Sequence, residues 1–200
     1  MKNHFFDLVG VGAAQMPSTE LVFAKIIKDF DLIIEIGTDN GGFSIWLHRN
    51  KRPDALFLTY EMDPSHVKIP KNHEVNDCIR YCDCFNPDVI DSISALIKAR
   101  GKTLFLCDGG AKAKEFSVFS KLLKAGDVIM MHDFADSPHE SENYRSVKSK
   151  LLSAGLWDGA GFEVHESSLG MVESCLNLDG LEKYKYQDFL NVLWGSFIKL

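Results

Sequence analysis

The 200-residue chain lacks the features that mark membrane, secreted and nucleic-acid-binding proteins. No apolar run reaches the roughly 18 residues that a membrane helix needs. Its five cysteines are an odd number, whereas a secreted disulfide framework is typically even and spread along the chain. Acidic residues outnumber basic ones by 28 to 22, although nucleic-acid binding usually requires a surplus of Lys and Arg. We therefore expect a soluble, cytoplasmic protein that binds neither membranes nor nucleic acid.

Short apolar runs instead alternate with longer amphipathic stretches, such as Gly42–Asn50 and Lys112–Lys124, that predict helices. Most of the apolar runs are continuous, which is typical of strands that helices cover on both faces. The five candidate strands are Leu32–Ile36, Ala55–Tyr60, Cys78–Cys82, Thr103–Cys107 and Val128–Met131. This alternation predicts an α/β fold with a doubly wound, mostly parallel sheet.

The pattern changes after residue 133. The runs Phe162–Glu166 and Leu169–Glu173 are separated by only two serines, which is too short for a helical crossover. We therefore expect an antiparallel hairpin there, which brings the sheet to seven strands. Residues Tyr184–Leu200 carry apolar side chains at roughly helical spacing and predict a C-terminal helix packed on the sheet.

The segment that follows the first predicted strand is the most informative. The strand ends at Ile36, a turn containing Gly37 and Gly41 follows, and a helix begins near Gly42. In an open parallel sheet, ligands bind beyond the carboxyl ends of the strands, and glycine lets the backbone approach them closely. The spacing is not the G-x-G-x-x-G of dinucleotide-binding proteins. Taken alone, the turn is also explained as a connection that needs positive φ angles.

Acidic residues follow four of the predicted strands. Glu61, after the second, is placed to accept hydrogen bonds from both ribose hydroxyls of an adenosine ligand. Asp83, after the third, is suited equally to an adenine amino group and to a turn. Asp108 and Asp133, after the fourth and fifth, offer oxygen ligands for a hard cation such as Mg²⁺. The alternative holds no metal, and the two acids are bridged by Lys112 or share a proton.

In combination, four segments resemble those of the class I S-adenosylmethionine-dependent methyltransferases. The segments are Glu35–Thr38 with Gly41-Gly42, Glu61, Cys107–Gly110 and Gly126–Asp133. The resemblance is narrower to the cephalosporin hydroxylase-like and macrocin O-methyltransferase-like branch, and it covers residues 14–134 best. One departure is Ala111, which stands where that branch often has histidine after the two glycines.

The resemblance implies a Rossmann-like methyltransferase fold in a single domain. It divides the chain into an N-terminal segment or lid at 1–16, a cofactor-binding core at 17–134, and a hairpin with the C-terminal helix at 135–200. It also implies a set of contacts with S-adenosylmethionine. Gly37, Thr38 and Gly41 would surround its methionine part, Glu35 would order its amino end, Glu61 would hold the ribose, and Asp83 the adenine.

The resemblance places Asp108 and Asp133 at adjacent strand tips over the site, where they are the metal candidates; Asp108 and His132 are the catalytic candidates. His132 is a candidate general base or third ligand, although a histidine ending an apolar strand is more often simply packed. The predicted activity is O-methylation of a small hydroxylated metabolite or sugar. A non-catalytic cofactor-binding module, favoured by Ala111, and a nicotinamide-dependent oxidoreductase are the alternatives. A homo-oligomer is left open.

Overall fold

A computed structural model describes residues 10–16, 18–134 and 175–200 of the chain. Seven strands lie in these residues: β1 (Leu32–Ile36), β2 (Leu56–Glu61), β3 (Ile79–Tyr81), β4 (Thr103–Cys107), β5 (Val128–His132), β6 (Leu181–Lys183) and β7 (Trp194–Lys199). They form one sheet in the order β3-β2-β1-β4-β5-β7-β6. The first five strands run parallel, and β7 lies antiparallel between β5 and β6. The predicted mostly parallel, seven-stranded sheet with an antiparallel C-terminal pair is therefore confirmed.

Helices cover both faces of this sheet. Within the described residues, the α-helices are α1 (Thr19–Phe23), α2 (Gly42–Asn50), α3 (Pro87–Ala99), α4 (Lys112–Phe119) and α5 (Tyr186–Leu190). Short 3-10 turns lie at Ile27–Asp29, Glu74–Cys78 and Ser120–Leu122. Buried side chains of α1, α2 and α5 pack in one core cluster, whereas those of α3 and α4 pack in a second. The two clusters contain alternate residues of the central strands, as expected for a sheet buried on both sides.

Local sequence signals explain where several elements begin. Helix α3 starts where the carboxamide of Asn86 accepts a hydrogen bond from the backbone N–H of Asp88, with Pro87 in the first helical turn. Helix α4 is shorter than its apolar pattern predicts, because the chain continues from Phe119 into a 3-10 turn rather than an α-helix. The apolar period over residues 112–124 therefore locates α4 but overestimates its length.

The C-terminal segment differs from the expectation of one helix over residues 184–200, which is wrong. Only Tyr186–Leu190 is α-helical there, and Trp194–Lys199 is strand β7. Leu193, between them, has a φ of 66°, which ends the helical path. The strand is stabilised instead by backbone pairing with β5, in which Met130 faces Ser196. The spacing of apolar residues along the sequence contains no information about pairing between strands so far apart in the chain.

Several predictions fall outside the described residues. These include the hairpin at residues 162–173 and residues 1–9 of the N-terminal segment. The antiparallel pair that the structure describes is formed by β6 and β7. Across the described ranges, no helix combines the length and apolar character needed to cross a membrane.

Strand register places the predicted functional residues at one edge. Ile36 of β1 pairs with both Tyr60 of β2 and Cys107 of β4, and Cys107 pairs with Met131 of β5. The residues that follow these positions therefore emerge together at the carboxyl edge of the sheet. This edge is where an open parallel sheet binds its ligands.

Candidate active site

An acid–imidazole pair lies at the ends of β4 and β5. The Nδ1 atom of His132 lies 2.8 Å from Oδ1 of Asp108 and 3.6 Å from Oδ1 of Asp133. Both His132 and Asp133 are buried. Burial disfavours the charged imidazolium, but the carboxylates of Asp108 and Asp133 outweigh it and raise the pKa of His132. The imidazole is thereby oriented by Asp108, with Nδ1–H as the donor.

The ammonium of Lys112 faces the same carboxylates. Its Nζ lies 3.2 Å from Oδ2 of Asp133 and 3.7 Å from Oδ1 of Asp108, and it donates to the carbonyl of Gly109 at 2.9 Å. Burial opposes the charge, but the two aspartates outweigh it and raise the pKa of Lys112. Lys112 is the first residue of α4, one helical turn after the end of β4, which brings its side chain back over Asp108.

Gln15 completes the surroundings of Asp108. Its Nε2 donates to Oδ2 of Asp108 at 2.7 Å, while its Oε1 accepts from the indole N–H of Trp194 at 3.0 Å. Gln15 and Trp194 are both buried. The Trp194 ring also packs on the ring of His132, with centroids 4.8 Å apart. Neither Gln15 nor Trp194 is predictable as a site residue from the sequence. No local motif indicates that these residues contact the end of β4 or β5, which lies far from both along the chain.

Glu61 lies at the end of β2, where it organises the neighbouring loops. Its Oε2 accepts from the backbone N–H of Asp39 at 3.1 Å, and its Oε1 accepts from the N–H of Asp63 at 2.9 Å. His66 lies 3.7 Å from the same Oε1 atom. An ionised carboxylate offers about four lone-pair positions, so these bonds leave capacity for ligand hydroxyls.

Glu35 is buried in β1, one residue before the strand ends. The hydroxyl of Ser44 donates to its Oε2 atom. Desolvation by burial raises the pKa of Glu35 to about 8, against the opposing effect of hydrogen bonds from Ser44 and Thr59. Thr38 is linked to Thr59 by a hydroxyl–hydroxyl bond of 2.7 Å. Glu35 and Thr38 therefore join the turn to α2 and β2.

The glycines of the turn allow close contacts within the chain itself. Gly37 has a φ of 93°, and a Cβ there would lie 2.4 Å from the carbonyl oxygen of Asp108. Gly41 has a φ of 97°, and its Cβ would overlap the side chain of Ile69. Gly37 therefore lets the end of β1 approach the end of β4, which puts the turn beside the Asp108 cluster.

Asp83 and Glu115 have local roles in the structure. Asp83 is exposed after β3, and its carboxylate accepts from the N–H of Phe85 at 2.8 Å, which is turn geometry. Glu115 is buried, and its carboxylate accepts hydrogen bonds from the backbone N–H groups of Gly109 and Ala111. No sequence motif indicates this role. Burial raises the pKa of Glu115 to about 7. Glu115 thus holds the turn between Asp108 and Lys112.

The candidate metal ligands lie close enough together to bind one ion, but the two carboxylates among them also form ion pairs with Lys112. Asp108, His132 and Asp133 each offer one such atom, and these atoms all lie within 4.8 Å. A divalent ion bound by both carboxylates would need the space that the Lys112 ammonium faces. With Lys112 in that position, the residues do not fit a resident metal ion. The geometry corresponds to the lysine bridge that the sequence left open as an alternative.

The strand order, with antiparallel β7 between β5 and β6, is that of the Rossmann-like methyltransferases, and it confirms at the level of fold the resemblance seen in the sequence. No family model matches the chain, and the search of curated proteins gives no match. Among solved structures, the chain is similar to the apo-structure of CmcI, with a TM-score of 0.66 and 15% identity over 98% of this chain and 76% of that one.

Two further structures have the same fold. The Mg-SAM structure of CmcI matches with a TM-score of 0.51 and 19% identity, over 74% of this chain and 65% of that chain. This match therefore covers slightly less than two thirds of the chain in the Mg-SAM structure. A putative caffeoyl-CoA O-methyltransferase from Staphylococcus aureus matches with a TM-score of 0.58 and 14% identity, over 95% and 86% of the two chains.

Proposed function

We propose that the chain is an S-adenosylmethionine-dependent O-methyltransferase that acts on a small hydroxylated acceptor. One observation carries this proposal. The glycine turn after β1 touches the backbone of Asp108, so the expected cofactor site and the Asp108–His132 pair adjoin at one sheet edge. Solved structures with this fold include one of CmcI with Mg and SAM and a putative caffeoyl-CoA O-methyltransferase.

In this proposal, the cofactor lies along the ends of β1, β2 and β3. The turn from Gly37 to Gly41 receives the methionine part, and Glu61 accepts the ribose hydroxyls with the lone pairs that Asp39 and Asp63 leave available. Asp83 lies next to the adenine end. Glu35 supports the turn through Ser44 and orders the amino end of the cofactor indirectly.

Methyl transfer from a sulfonium is a direct displacement, so the protein needs to align the acceptor and to remove its proton. The Asp108–His132 pair is the group suited to proton removal, because the carboxylate orients the imidazole and stabilises the imidazolium that forms. Lys112 adds a positive charge beside the same position. No covalent intermediate is required.

The alternatives differ in ligand and in turnover. A nicotinamide-dependent enzyme would use G-x-G-x-x-G after β1, whereas this turn reads Gly37-Thr-Asp-Asn-Gly-Gly42. A non-catalytic module would bind the cofactor without transferring its methyl group. Titration calorimetry with S-adenosylhomocysteine and with NAD distinguishes a methyltransferase from a nicotinamide-dependent enzyme. We expect S-adenosylhomocysteine to bind and NAD not to bind.

Turnover of methyl-labelled S-adenosylmethionine over a panel of phenols, sugars and other alcohols tests catalysis. We expect Asp108→Asn to lower kcat at least about 100-fold, the usual effect of losing acid–base assistance. The matched control is Asp91→Asn, which makes the same change at an exposed position of α3 and should leave kcat unchanged. Binding of NAD alone, or cofactor binding without turnover on any acceptor, would contradict the proposal.

A further inference from the structure

We propose that the Lys112 ammonium is the resident cation of the Asp108–Asp133 cluster, and that it excludes a divalent metal ion from this site. The claim about metal exclusion stands on the cluster alone. Its consequence for catalysis rests on the proposed methyltransferase function, and the two are tested by separate measurements.

Lys112 has two oxygens within 3.2 Å of Nζ and a third at ion-pair distance, beyond hydrogen-bond range. Three oxygens surround Nζ: Oδ2 of Asp133 at 3.2 Å, the carbonyl of Gly109 at 2.9 Å, and Oδ1 of Asp108 at 3.7 Å. Only 23% of the Lys112 side chain is exposed, against 14% for Asp108 and 8% for Asp133. The lysine is therefore built into the cluster rather than lying across its surface.

Asp108 has further partners with which a metal ion would compete for the carboxylate. Its Oδ1 is 2.8 Å from Nδ1 of His132, and its Oδ2 accepts from Gln15 at 2.7 Å. Gln15 is itself fixed by the indole of Trp194. A divalent ion bound to Asp108 would bring two positive charges against the lysine.

The path of the chain holds Lys112 in this place. Helix α4 starts directly after the turn Gly109–Ala111, whose backbone N–H groups Glu115 binds from one helical turn further on. Lys112 follows Asp108 by four residues, so its side chain returns over the end of β4. Asp133 has a φ of 58°, a left-handed conformation that aspartate adopts more readily than most residues and that contacts of its side chain can stabilise. The bond to Lys112 is one of those contacts.

This assignment has a consequence for the acceptor. A divalent ion has open coordination positions that can chelate two neighbouring oxygens and lower the pKa of one of them. An ammonium donates hydrogen bonds but does not chelate. We therefore infer that the acceptor needs only one hydroxyl at the reacting position, and that adjacent hydroxyls are not required for turnover.

Manganese binding tests the exclusion of metal directly. Electron paramagnetic resonance titration of Mn²⁺ should show the wild-type chain binding no more ion than Asp108→Asn. The Lys112→Met variant replaces the ammonium with an uncharged, unbranched side chain one atom shorter, and it should bind one Mn²⁺ at least about tenfold more tightly than wild type. Adding Asp108→Asn to Lys112→Met should abolish that gain. Lys121→Met, the same change in the exposed 3-10 turn after α4, is the control and should resemble wild type.

The wild-type titration decides the proposal even if Lys112→Met fails to fold. Stoichiometric Mn²⁺ binding to wild type that is lost in Asp108→Asn would overturn it, as would a folded Lys112→Met variant that gains no ion. In turnover assays, EDTA followed by Mg²⁺ or Mn²⁺ should leave the wild-type rate unchanged, and a mono-hydroxylated acceptor should react as well as its vicinal diol. If the wild-type chain does not bind S-adenosylhomocysteine, that result contradicts the methyltransferase function but not the role of Lys112.

Discussion

The side chain of Gln15 donates a 2.7 Å hydrogen bond to Asp108, a residue 93 positions further along the chain. The same carboxamide accepts from the buried indole of Trp194. One uncharged side chain thus connects the segment before α1, the end of β4 and the start of β7. The orientation of the Asp108 carboxylate therefore depends on residues outside the glycine and acid motifs.

Replacing Gln15 should reveal this connection through a double-mutant cycle. Gln15→Met leaves the Trp194 N–H buried without its acceptor, and it should lower the free energy of unfolding by about 1–3 kcal/mol. Trp194→Phe removes the donor but also leaves a cavity. In the double variant the loss should be smaller than the sum of the single losses, because neither partner is left unsatisfied. Urea denaturation measures all four proteins, and strictly additive losses would contradict the connection.

Gly37 should tolerate no side chain. Gly37→Ala would place a Cβ 2.4 Å from the carbonyl oxygen of Asp108 at a φ of 93°, and strain of this kind costs about 1–3 kcal/mol. Gly110→Ala is the matched control, because its Cβ would meet nothing within 4 Å. Thermal unfolding should separate the two variants clearly. Equal melting temperatures of the two variants would contradict this prediction, because they would show that the ends of β1 and β4 can move apart without loss of stability.

Glu61 should contribute to cofactor affinity through its charge. Glu61→Gln keeps the size of the side chain but weakens hydrogen bonds to ligand hydroxyls, so S-adenosylhomocysteine should bind about 1.5–3 kcal/mol less tightly. The control Glu74→Gln makes the same change at an exposed position in the 3-10 turn before β3. Calorimetry on both variants tests the assignment. An unchanged affinity for Glu61→Gln would remove the residue from the ribose site and leave it a loop-ordering role.

Glu35 should make the protein less stable as the pH rises. Its pKa is about 8 in the folded chain against an ordinary value of 4.5, so between these values the folded state keeps a proton that the unfolded state releases. Stability from this group is therefore present below pH 4.5 and declines by roughly 1 kcal/mol per pH unit as the pH approaches 8. Glu115, with a pKa of about 7, acts in the same direction.

The variant Glu35→Gln isolates that contribution. Its stability relative to wild type should increase from pH 5 to pH 8 in urea denaturation, since the amide has no proton to lose. Glu182→Gln, an exposed change in β6, should keep a constant difference from wild type over the same range. Parallel curves for Glu35→Gln and wild type would mean that the carboxyl group is not held protonated by burial.

The parts of the fold that depend on local pattern were predictable from the sequence. Continuous apolar runs identified the five parallel strands, and the Asn86-Pro87 start identified α3, because these signals lie within a few residues of the structure they specify. The sequence pattern wrongly predicts a helix at β7, because the strand depends on pairing with β5; Met130 and Ser196, for example, pair across 66 residues (196 − 130). Periodicity alone contains no information about such a partner.

The candidate site divides in the same way. Asp108, His132 and Asp133 were predictable as a group, because each ends or follows a parallel strand and such ends share one edge. Gln15 and Trp194 were not, since they reach the cluster through tertiary packing of distant segments. The choice between a metal ion and Lys112 required side-chain positions, because the sequence supports both.

The Gln15–Trp194 hydrogen bond spans 179 residues, and this separation determines when the site can form during folding. Closing a loop of that length loses chain entropy before the contact returns any stabilisation, so long-range contacts of this kind slow folding. The partners of Asp108 itself, Gln15, Lys112 and His132, all precede β7 in the chain, but the Gln15 carboxamide gains its contact with Trp194 only when β7 is in place. During synthesis, the site therefore becomes complete only after residue 194 has emerged from the ribosome.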